Sequence, residues 1–289
     1  QDEKEDLNYE IDGMVVKVND LDAHDTLGAT SKHPRWAIAY KYPAMRKTTK
    51  IKEIKVQVGR TGKLTPIAIL EPVQLSGTVV ERASLHNEDE IERKDVRVGD
   101  TALVEKAGEI IPQIVKVMKD ERDGSEEKFE FPETCPVCGS EAKRFGDEVA
   151  RRCVNAQCPA QVKQRLEHWG ARGAMDIEGL GPKVLNKLVE KGVVKSIPDL
   201  YRLGKIQLTS IERMAQRSAR NLLDEIEKSK EQSLDRVIYG LGIKYVGDHV
   251  ANVLTQHYDS MDEVMDADEE ELQEIDEIGP KIAESIISF

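Results

Sequence analysis

The hydrophobic pattern changes once along the chain. Up to about Met118, short apolar segments of strand length alternate with glycine-containing turns, as in IKEIKVQVGRTGKLTPIAILEPVQL (51–75). From Val162 to the end, apolar residues recur at the spacing of amphipathic helices. The pattern therefore predicts a β-rich part followed by an all-α part.

The β-rich part divides into two pieces. Residues 1 to about 45 contain two strand-like segments, EIDGMVVKV (10–18) and RWAIAYKYPA (35–44), which are joined by a loop. From Thr48 to about Met118, five or so short strands without long helical stretches predict a small β-barrel. The polar run KDERDGSEEK (119–128) is interpreted as a linker after the barrel.

The helical part contains an internal repeat. Its copies are marked by isoleucines at steps of 34, 32 and 32 residues, namely Ile177, Ile211, Ile243 and Ile275. Mostly apolar or small residues follow at offsets 3, 4, 7, 8 and 11, which together form one face of a helix. At offset four, where a tight turn is expected to lead into a helix, three copies have glycine and the second has Ala215.

A glycine turn that leads into a helix exposes backbone N–H groups at the positive end of the helix dipole. Such a turn can bind a phosphate without reading base sequence. The repeats therefore indicate four tandem helix-hairpin-helix motifs, of which the second is degenerate and is expected to pack rather than bind. The candidate DNA-binding residues are Gly181, Lys183, Gly247 and Gly279. A generic helical array such as tetratricopeptide repeats is the alternative, but it does not need glycine at these junctions, and its aromatic signature is missing.

Four cysteines lie close together in the sequence: Cys135, Cys138, Cys153 and Cys158. They form two tight pairs, with two and four intervening residues, and 14 residues separate the pairs. Four thiolates at this spacing suit tetrahedral Zn²⁺, and four protein ligands leave no open position, so the predicted zinc site is structural. Two disulfides are the alternative, which the reducing cytoplasm expected for this chain disfavours.

The net charge of −12 does not exclude a nucleic-acid partner, because the acidity is local. The segment 259–289 holds 12 acidic residues and one basic residue, whereas the other 258 residues hold 42 acidic and 41 basic residues. The fourth repeat lies in this acidic segment, so it is expected to bind DNA less than repeats one and three. The sequence has no apolar run of membrane-spanning length and no export signal, so a cytoplasmic monomer without a membrane partner is expected.

The two strand-like segments near the start carry lysines beside small residues. Alternation gives the second segment a predicted packed face, formed by Trp36, Ile38, Tyr40 and Tyr42. The opposite face carries Arg35, Ala37, Ala39 and Lys41, and one face of the first segment carries Gly13, Val15 and Lys17. Small residues between cations leave room for a flat anionic ligand. Solvated surface lysines remain an open alternative on these residues alone.

The motifs and their order resemble the NAD-dependent DNA ligase family. EIDGMVVKV looks like nucleotidyltransferase motif IV in the form found in that family, WAIAYKYPA looks like motif V, and the loop LGATSKHPRWA between them also matches. The barrel segments VGRTGKLTPIAILEPV, SLHNEDEI and AGEIIPQIVKV resemble the family's OB domain. The four cysteines and the helix-hairpin-helix repeats follow in the family's order. The resemblance covers essentially the whole chain.

The resemblance implies a multidomain α+β architecture. Its parts would be the end of a nucleotidyltransferase (adenylation) domain at 1–46, an OB-fold β-barrel at 47–122, a small four-cysteine zinc finger at 130–163 and an all-α tandem helix-hairpin-helix domain at 164–289. It also implies that Lys17 and Lys41 contact the adenylate phosphate or assist its transfer. Asp12 would lie at the same pocket, near the metal-assisted chemistry.

The function implied by the resemblance is the sealing of nicks in duplex DNA during replication and repair, without sequence preference. NAD would donate the adenylate, Mg²⁺ or Mn²⁺ would assist its transfer, and enzyme–AMP and DNA–adenylate would be the intermediates. The alternative is a non-enzymatic repair protein that binds DNA through an OB barrel and helix-hairpin-helix repeats. Such a protein would have no use for the segments 10–18 and 35–44.

The sequence departs from the family pattern at the nucleophile. The family's adenylylated lysine lies in a Lys-x-Asp-Gly motif, which this sequence does not contain; Glu121-Arg122-Asp123-Gly124 has an acid in the lysine's place. The family's N-terminal segment for the nicotinamide mononucleotide half and its C-terminal BRCT domain are not found either. We therefore expect an internal part of a ligase that binds DNA but does not adenylylate itself.

Overall fold

A computed structural model describes residues 8, 11, 13–30, 33–42, 44–75, 77–106, 111–146 and 148–289. The chain forms two compact units. The first comprises residues 1–57, 64–132 and 146–150, and the second comprises residues 58–63, 133–145 and 151–289. Both units are therefore discontinuous in sequence.

The first unit begins with a two-stranded antiparallel sheet. Its elements are strand β1 (Gly13–Lys17), helix α1 (Asp22–Leu27) and strand β2 (Ala37–Lys41). Helix α1 lies where a loop was predicted, because its six residues are too few to show an apolar period. Acidic residues in its first turn favour the helix, and Gly28, with φ of 64°, ends it.

The face of this sheet that was predicted to be packed is largely exposed. Ile38 and Tyr40 on β2 are 70% and 59% exposed, and Met14 and Val16 on β1 are exposed beside them. Among the described residues, this two-stranded sheet has no second layer to cover its apolar side. The prediction of a packed face is therefore wrong for these residues of the chain.

The barrel follows in the first unit. Its elements are β3 (Met45–Val58), β4 (Leu64–Leu75), β5 (Thr78–Ser84), α2 (Glu88–Lys94), β6 (Arg97–Val98), β7 (Thr101–Lys106) and β8 (Gln113–Val117). Described strands close in the order β3-β4-β5-β8-β7, which confirms the predicted barrel. Alternating burial along β4 shows which of its faces lines the barrel interior, because Leu64, Ala68 and Leu70 are at most 2% exposed. The Asn87 side chain caps α2 by accepting a hydrogen bond from the Glu90 backbone N–H.

Residues 119–128 pack on the barrel, so the prediction of a polar linker is wrong. A 3-10 turn (Lys119–Glu121) and strand β9 (Glu127–Lys128), which pairs with β6, account for most of the segment. Between them, Arg122 donates hydrogen bonds of 2.7 Å to both Asp95 and Asp100. The polar composition of residues 119–128 suggested that they are exposed to solvent. Instead, the Arg122 guanidinium group pairs with both carboxylates and holds the segment in place.

The second unit is a small cysteine-rich module followed by helices. Its elements are β10 (Ala142–Arg144), β11 (Arg151–Cys153), α3 (Pro159–Gly170), α4 (Pro182–Glu190), α5 (Ile197–Leu200), α6 (Lys205–Thr209), α7 (Gln216–Lys228), α8 (Leu234–Leu241), α9 (Asp248–Leu254), α10 (Met261–Asp266), α11 (Glu269–Glu274) and α12 (Pro280–Ile287). Two apolar cores hold the helices together, one around α3 to α7 and one around α8 to α12. Among the described residues, none of the helices combines the length and hydropathy needed to cross a bilayer.

The internal repeat defines both cores. The isoleucines that mark the four copies are at most 6% exposed, and the small or apolar residues eight positions on are fully buried: Leu185, Ala219, Ala251 and Ala283. The prediction of a single helical face needs one correction. Offsets zero to three form a turn, and α4, α7, α9 and α12 begin at offset five, one residue after the N-cap.

Candidate functional site

The two candidate lysines of the first sheet lie on one face. In the β1–β2 register, Lys17 is opposite Ala37 and Lys41 is opposite Gly13, so each lysine faces a small residue across the ladder. Directly paired residues share a face, which places both lysines on the side that also carries Val15 and Ala39. The lysines are at opposite ends, four strand positions apart or about 13 Å. Their long side chains can therefore converge on an anion bound between them.

Gly13 is required by the close approach of the two strands. A Cβ at this position would overlap the Tyr40 carbonyl oxygen and would lie 3.2 Å from the Lys41 Cδ. The glycine of the Asp-Gly pair therefore leaves room for the Lys41 side chain to cross β1. Its candidate neighbour Asp12 lies outside the described residues.

Around Lys17, the aromatic contacts come from residues that did not stand out as candidates in the sequence. The Lys17 Nζ lies 5.9 Å from the centroid of the Trp36 ring, and the His24 imidazole stacks on the same indole with centroids 3.9 Å apart. In the sequence, alternation along RWAIAYKYPA (35–44) assigned Trp36 to a packed face. That pattern gave no indication that Trp36 contacts a lysine.

The four cysteines converge in the second unit. Their sulfur atoms all lie within 4.8 Å of one another. Cys135 and Cys138 lie in a turn that Gly139 closes by donating its N–H to the Cys135 carbonyl, whereas Cys153 ends β11 and Cys158 is the N-cap of α3. The nearest sulfur pairs are 3.5 and 3.8 Å apart, well beyond the disulfide length of about 2.05 Å.

The chemistry of the cluster fits a metal cation. Burial raises the pKa of Cys153 to about 12 and also raises the pKa of Cys158. Two such buried thiols resist ionisation unless a cation offsets the loss of solvation. Four convergent sulfur donors are the ligand set of a tetrahedral zinc site without an open position.

Loop 58–63 contacts this cysteine-rich module within the second unit. The Cys153 backbone N–H donates to the Gly62 carbonyl at 2.9 Å, and the Arg152 guanidinium donates to the Thr61 side chain at 2.6 Å. Gly62 has φ of 76°, and a Cβ there would lie 2.7 Å from the Cys153 carbonyl oxygen, so a side chain would disrupt this contact. The segment VGRTGK was assigned to the barrel by pattern, which did not reveal these contacts.

The strands of the module bring cations together. Across the β10–β11 ladder, Lys143 is opposite Arg152 and Arg144 is opposite Arg151. Like charges directly opposite each other destabilise a ladder. Some of this charge is balanced inside the module, since Lys143 forms an ion pair of 2.9 Å with Glu141.

The candidate glycines of the repeats are the N-caps of their helices. Gly181, Gly247 and Gly279 have extended backbone conformations, with φ between −93° and −78°, which any residue can adopt. Nothing lies within 4 Å of a Cβ built on any of them. Ala215 adopts the same conformation in repeat two, with φ of −75°. The fold therefore does not demand glycine at offset four, and the space around the Cβ position of each of these residues is open.

A different position in each turn has a left-handed backbone. At offset two, Gly179, Arg213, Tyr245 and Glu277 have φ between 66° and 86°. Only the first copy has glycine there, so the position carried no common sequence signal. Left-handed backbone disfavours side chains with a Cβ. Three turns nevertheless present a side chain at this tip.

The charged residues of the turns differ between copies. In repeat one, the Lys187 ammonium pairs with Glu212 at 3.1 Å, and Lys183 follows the N-cap at the first turn of α4. In repeat three, the Lys244 ammonium lies 4.7 Å from the centroid of the Tyr245 ring. The acidic tip of repeat four, Glu277, contacts the His249 ring of α9 at 2.5 Å.

Matches to known domains follow one another along the chain. Residues 1–45 match the NAD-dependent DNA ligase adenylation domain, residues 48–126 its OB-fold domain and residues 134–160 its C4 zinc finger domain. Residues 172–228 match a SAM-like helix-hairpin-helix tandem, and residues 236–289 match a helix-hairpin-helix motif.

Curated relatives are similar over the whole of this chain. It is 53% identical to a DNA ligase of Salinibacter ruber, 55% identical to one of Halothermothrix orenii and 50% identical to one of Bacillus subtilis, each over 289 residues. These matches cover 100% of the chain but only 42 to 43% of the relatives, so the chain spans less than half of their length. With the adenylation, OB-fold and zinc-finger matches in this order, the chain belongs to the NAD-dependent DNA ligase family.

Proposed function

We propose that the chain acts within an NAD-dependent DNA ligase that seals nicks in duplex DNA. The observation that carries the proposal is the pair of lysines, Lys17 and Lys41, on one face of the β1–β2 sheet with small residues between them. A non-enzymatic DNA-binding protein would have no need for this arrangement. The adenylation-domain match over residues 1–45 supports the same conclusion.

In this proposal, the two lysines act on the phosphate of the adenylate that NAD donates. Negative charge develops on the phosphoryl oxygens during transfer, and fixed cations stabilise it. Lys17 and Lys41 approach the floor of Val15, Ala37 and Ala39 from opposite ends, which lets both ammonium groups reach one phosphate. Asp12 is assigned to the same pocket by its place in the motif. Mg²⁺ or Mn²⁺ is proposed as a further cofactor on the family resemblance alone.

The second unit is proposed to bind the DNA duplex through its phosphates. Open N-caps at Gly181, Gly247 and Gly279 present backbone N–H groups at helix ends, which suits phosphate binding without base recognition. Lys183 adds a cation near the first of them. A structural zinc ion bound by Cys135, Cys138, Cys153 and Cys158 would keep the module folded. It would also hold loop 58–63 in place, because the Cys153 backbone N–H donates a hydrogen bond to the Gly62 carbonyl.

We propose the division of the chain at 1–46, 47–122, 130–163 and 164–289 as the end of the adenylation domain, the OB fold, the zinc finger and the helix-hairpin-helix domain. The ion pairs of Arg122 with Asp95 and Asp100 keep the segment after β8 with the barrel, and the pairing of β9 with β6 favours an end of the OB fold somewhat beyond residue 122. Cys158 supports a zinc finger that runs into α3, since it is both a candidate ligand and the N-cap of that helix.

The experiment uses a complete ligase that contains this segment and a nicked, 5′-phosphorylated duplex. Lys17→Ala and Lys41→Ala are each expected to slow sealing by about a hundredfold or more, as the loss of one preorganised charge on a phosphoryl group typically does. Lys55→Ala, at an exposed lysine of β3 that pairs with Glu53, serves as the control for removal of a lysine. Near-normal sealing by both Lys17→Ala and Lys41→Ala would refute the pocket.

A further inference from the structure

We propose that Trp36 is a positioning residue for Lys17 and that His24 holds the Trp36 ring in place. The inference rests on the proposed function, in which Lys17 acts on the adenylate phosphate. It extends that function to two residues whose sequence pattern indicated only packing or a loop. The three side chains come from the end of β1, from α1 and from the residue before β2.

The first step is the contact between the ammonium and the indole. The Lys17 Nζ lies 5.9 Å from the centroid of the Trp36 ring, within the range of about 6 Å in which a cation is attracted to an aromatic face. A lysine on a solvent-facing strand samples many rotamers, and holding it in one of them costs entropy. The indole reduces this freedom by favouring the rotamers in which the ammonium lies near the ring, where Lys17 approaches the proposed phosphate site from its own side.

The second step is the support of the indole itself. The His24 and Trp36 rings are stacked with an interplanar angle of 3° and a centroid distance of 3.9 Å. The His24 Nε2–H donates to the Val18 carbonyl at 2.7 Å, and the Val18 N–H donates to the Trp36 carbonyl at 2.9 Å. Each of His24, Val18 and Trp36 therefore contacts the other two, and Val18 directly follows Lys17 in the chain.

The third step is the way the chain brings these residues together. Helix α1 ends at Gly28, whose carbonyl accepts a hydrogen bond from the Arg35 N–H at 3.0 Å. This bond closes the connection and returns the chain to the sheet at Trp36. The short helix thus places His24 against Trp36.

The role of Trp36 is distinct from ordinary core packing. Trp36 is half-buried, whereas Ile38 and Tyr40, which follow it at alternate positions, are 70% and 59% exposed. The Trp36 ring stacks on His24 and lies near the Lys17 ammonium, and among the described residues Trp36 belongs to none of the buried apolar clusters. An aromatic ring held by a histidine and facing a lysine suits the orientation of a charge.

The test is a double-mutant cycle in a complete ligase that contains this segment, with a nicked, 5′-phosphorylated duplex as substrate. Trp36→Leu is expected to lower the sealing rate constant about three- to tenfold, the range that one cation–π contact supplies. In the Lys17→Ala background, Trp36→Leu should change the rate constant by less than about twofold, because Trp36 acts through Lys17. Losses that multiply in the double variant would overturn the inference. Normal sealing by Lys17→Ala would also overturn this inference, and normal sealing by Lys41→Ala as well would overturn the proposed function.

Conservative variants separate positioning from folding. Trp36→Phe keeps an aromatic face and should retain more activity than Trp36→Leu, and His24→Phe, which keeps the stack, should retain more than His24→Ala. In the 289-residue chain, the Lys17 ε-methylene protons should show an upfield ring-current shift by NMR that Trp36→Leu abolishes. The absence of that shift in the unaltered chain would overturn the inference even if Lys17 is essential, and circular dichroism identifies variants that fail to fold.

Discussion

At the scale of single residues, the first unit contains the same kind of ion pair in two different surroundings. The Arg122 side chain is 14% exposed and pairs with Asp100, which is 0% exposed. The Arg93 side chain in the last turn of α2 is 65% exposed and pairs with Glu90 in the first turn. Removing one partner of a buried pair leaves an uncompensated charge, whereas exposed pairs contribute little. The two arginines should therefore differ greatly in their effect on stability.

We expect Arg122→Met to lower the free energy of unfolding of the first unit by about 3–5 kcal/mol, because the Asp100 carboxylate would remain buried without its cation. The matched control, Arg93→Met, should cost less than about 1 kcal/mol. Urea unfolding followed by circular dichroism measures both. Equal losses in the two variants would show that Arg122 is only a surface cation.

The same cluster predicts a dependence on acid. The hydrogen bond from Arg122 holds the pKa of Asp95 at about 2, below its ordinary value of 3.8. A carboxyl whose pKa is lower in the folded state stabilises the fold above about pH 4 and loses this contribution as the pH falls toward 2. The thermal unfolding midpoint, measured at a series of pH values from 6 to 2, should decrease as the pH falls from about 4 toward 2. Asp95→Asn should show a weaker decline, and an unchanged decline would rule out Asp95 as its source.

At the scale of elements, we expect the cysteine-rich module to depend on a metal for its fold. Its described residues form two strands of three residues each, and the four sulfur atoms lie together at its centre in place of a larger apolar core. Cys158 connects the module to α3, and the Cys153 backbone connects it to loop 58–63. Loss of the metal should therefore disturb more than the residues that bind it.

Chain purified without added metal should contain about one equivalent of zinc. A strong chelator should remove it and lower the thermal midpoint, and added zinc should restore the midpoint, because the metal binds the folded module preferentially. A chelator selective for calcium is the control. A metal-free chain with two disulfides would contradict the zinc assignment.

Among the repeats, one and three are expected to contribute more to DNA binding than four. Repeat four has Asp276 and Glu277 in its turn and further acids in α11, and carboxylates oppose a phosphate nearby. Gly181→Val and Gly247→Val should weaken binding of a nicked duplex about tenfold each, and Gly279→Val less than about threefold. Binding should also weaken steeply with salt.

Valine fits the extended backbone at all three positions, and the space around each is open, so the folds should survive. Ala215→Val, at the same position of the degenerate repeat, is the matched control and should change affinity little. Circular dichroism checks each variant. A larger loss for Gly279→Val than for Gly181→Val and Gly247→Val would reverse the ranking.

Elements with a strong period or a fixed spacing could be predicted from sequence, and those set by contacts between distant residues could not. The barrel and the helical repeats follow from alternation and from the isoleucine steps, so they were predicted. The attachment of residues 119–128 depends on one arginine that meets two distant aspartates, and polarity alone suggested a linker. The left-handed turn tips were missed because Gly179, Arg213, Tyr245 and Glu277 share a conformation but no chemistry.

The candidate site shows the same division. Alternation alone placed the small residues and lysines on common faces, and the register adds that Gly13 is opposite Lys41. The contribution of His24 could not be predicted, because it depends on a six-residue helix without an apolar period. The opposite, apolar face was predicted to be packed because hydrophobic residues usually are, but pattern alone does not reveal whether another layer covers them.

At the scale of the whole molecule, the sequence combines the proposed phosphate pocket and the proposed DNA-binding surface but does not contain the family's nucleophile motif. We expect that incubation with adenine-labelled NAD leaves the 289-residue chain unlabelled, because its sequence has no Lys-x-Asp-Gly lysine. A complete ligase that contains the segment is the positive control. Covalent label at Lys17 or Lys41 would show that the transfer chemistry has been assigned to the wrong residues.

Loop 58–63 has a consequence for the order in which the protein is made. Arg60 lies against Gly242 at the end of α8, so residues 182 positions apart in the chain meet within the second unit. Translation delivers the loop long before its partners in α3 and α8, and such distant contacts are slow to form. The second unit is therefore completed only after α8 has been synthesised, about 180 residues after the loop. A gene divided after residue 132 would encode two products, neither of which contains all of that unit.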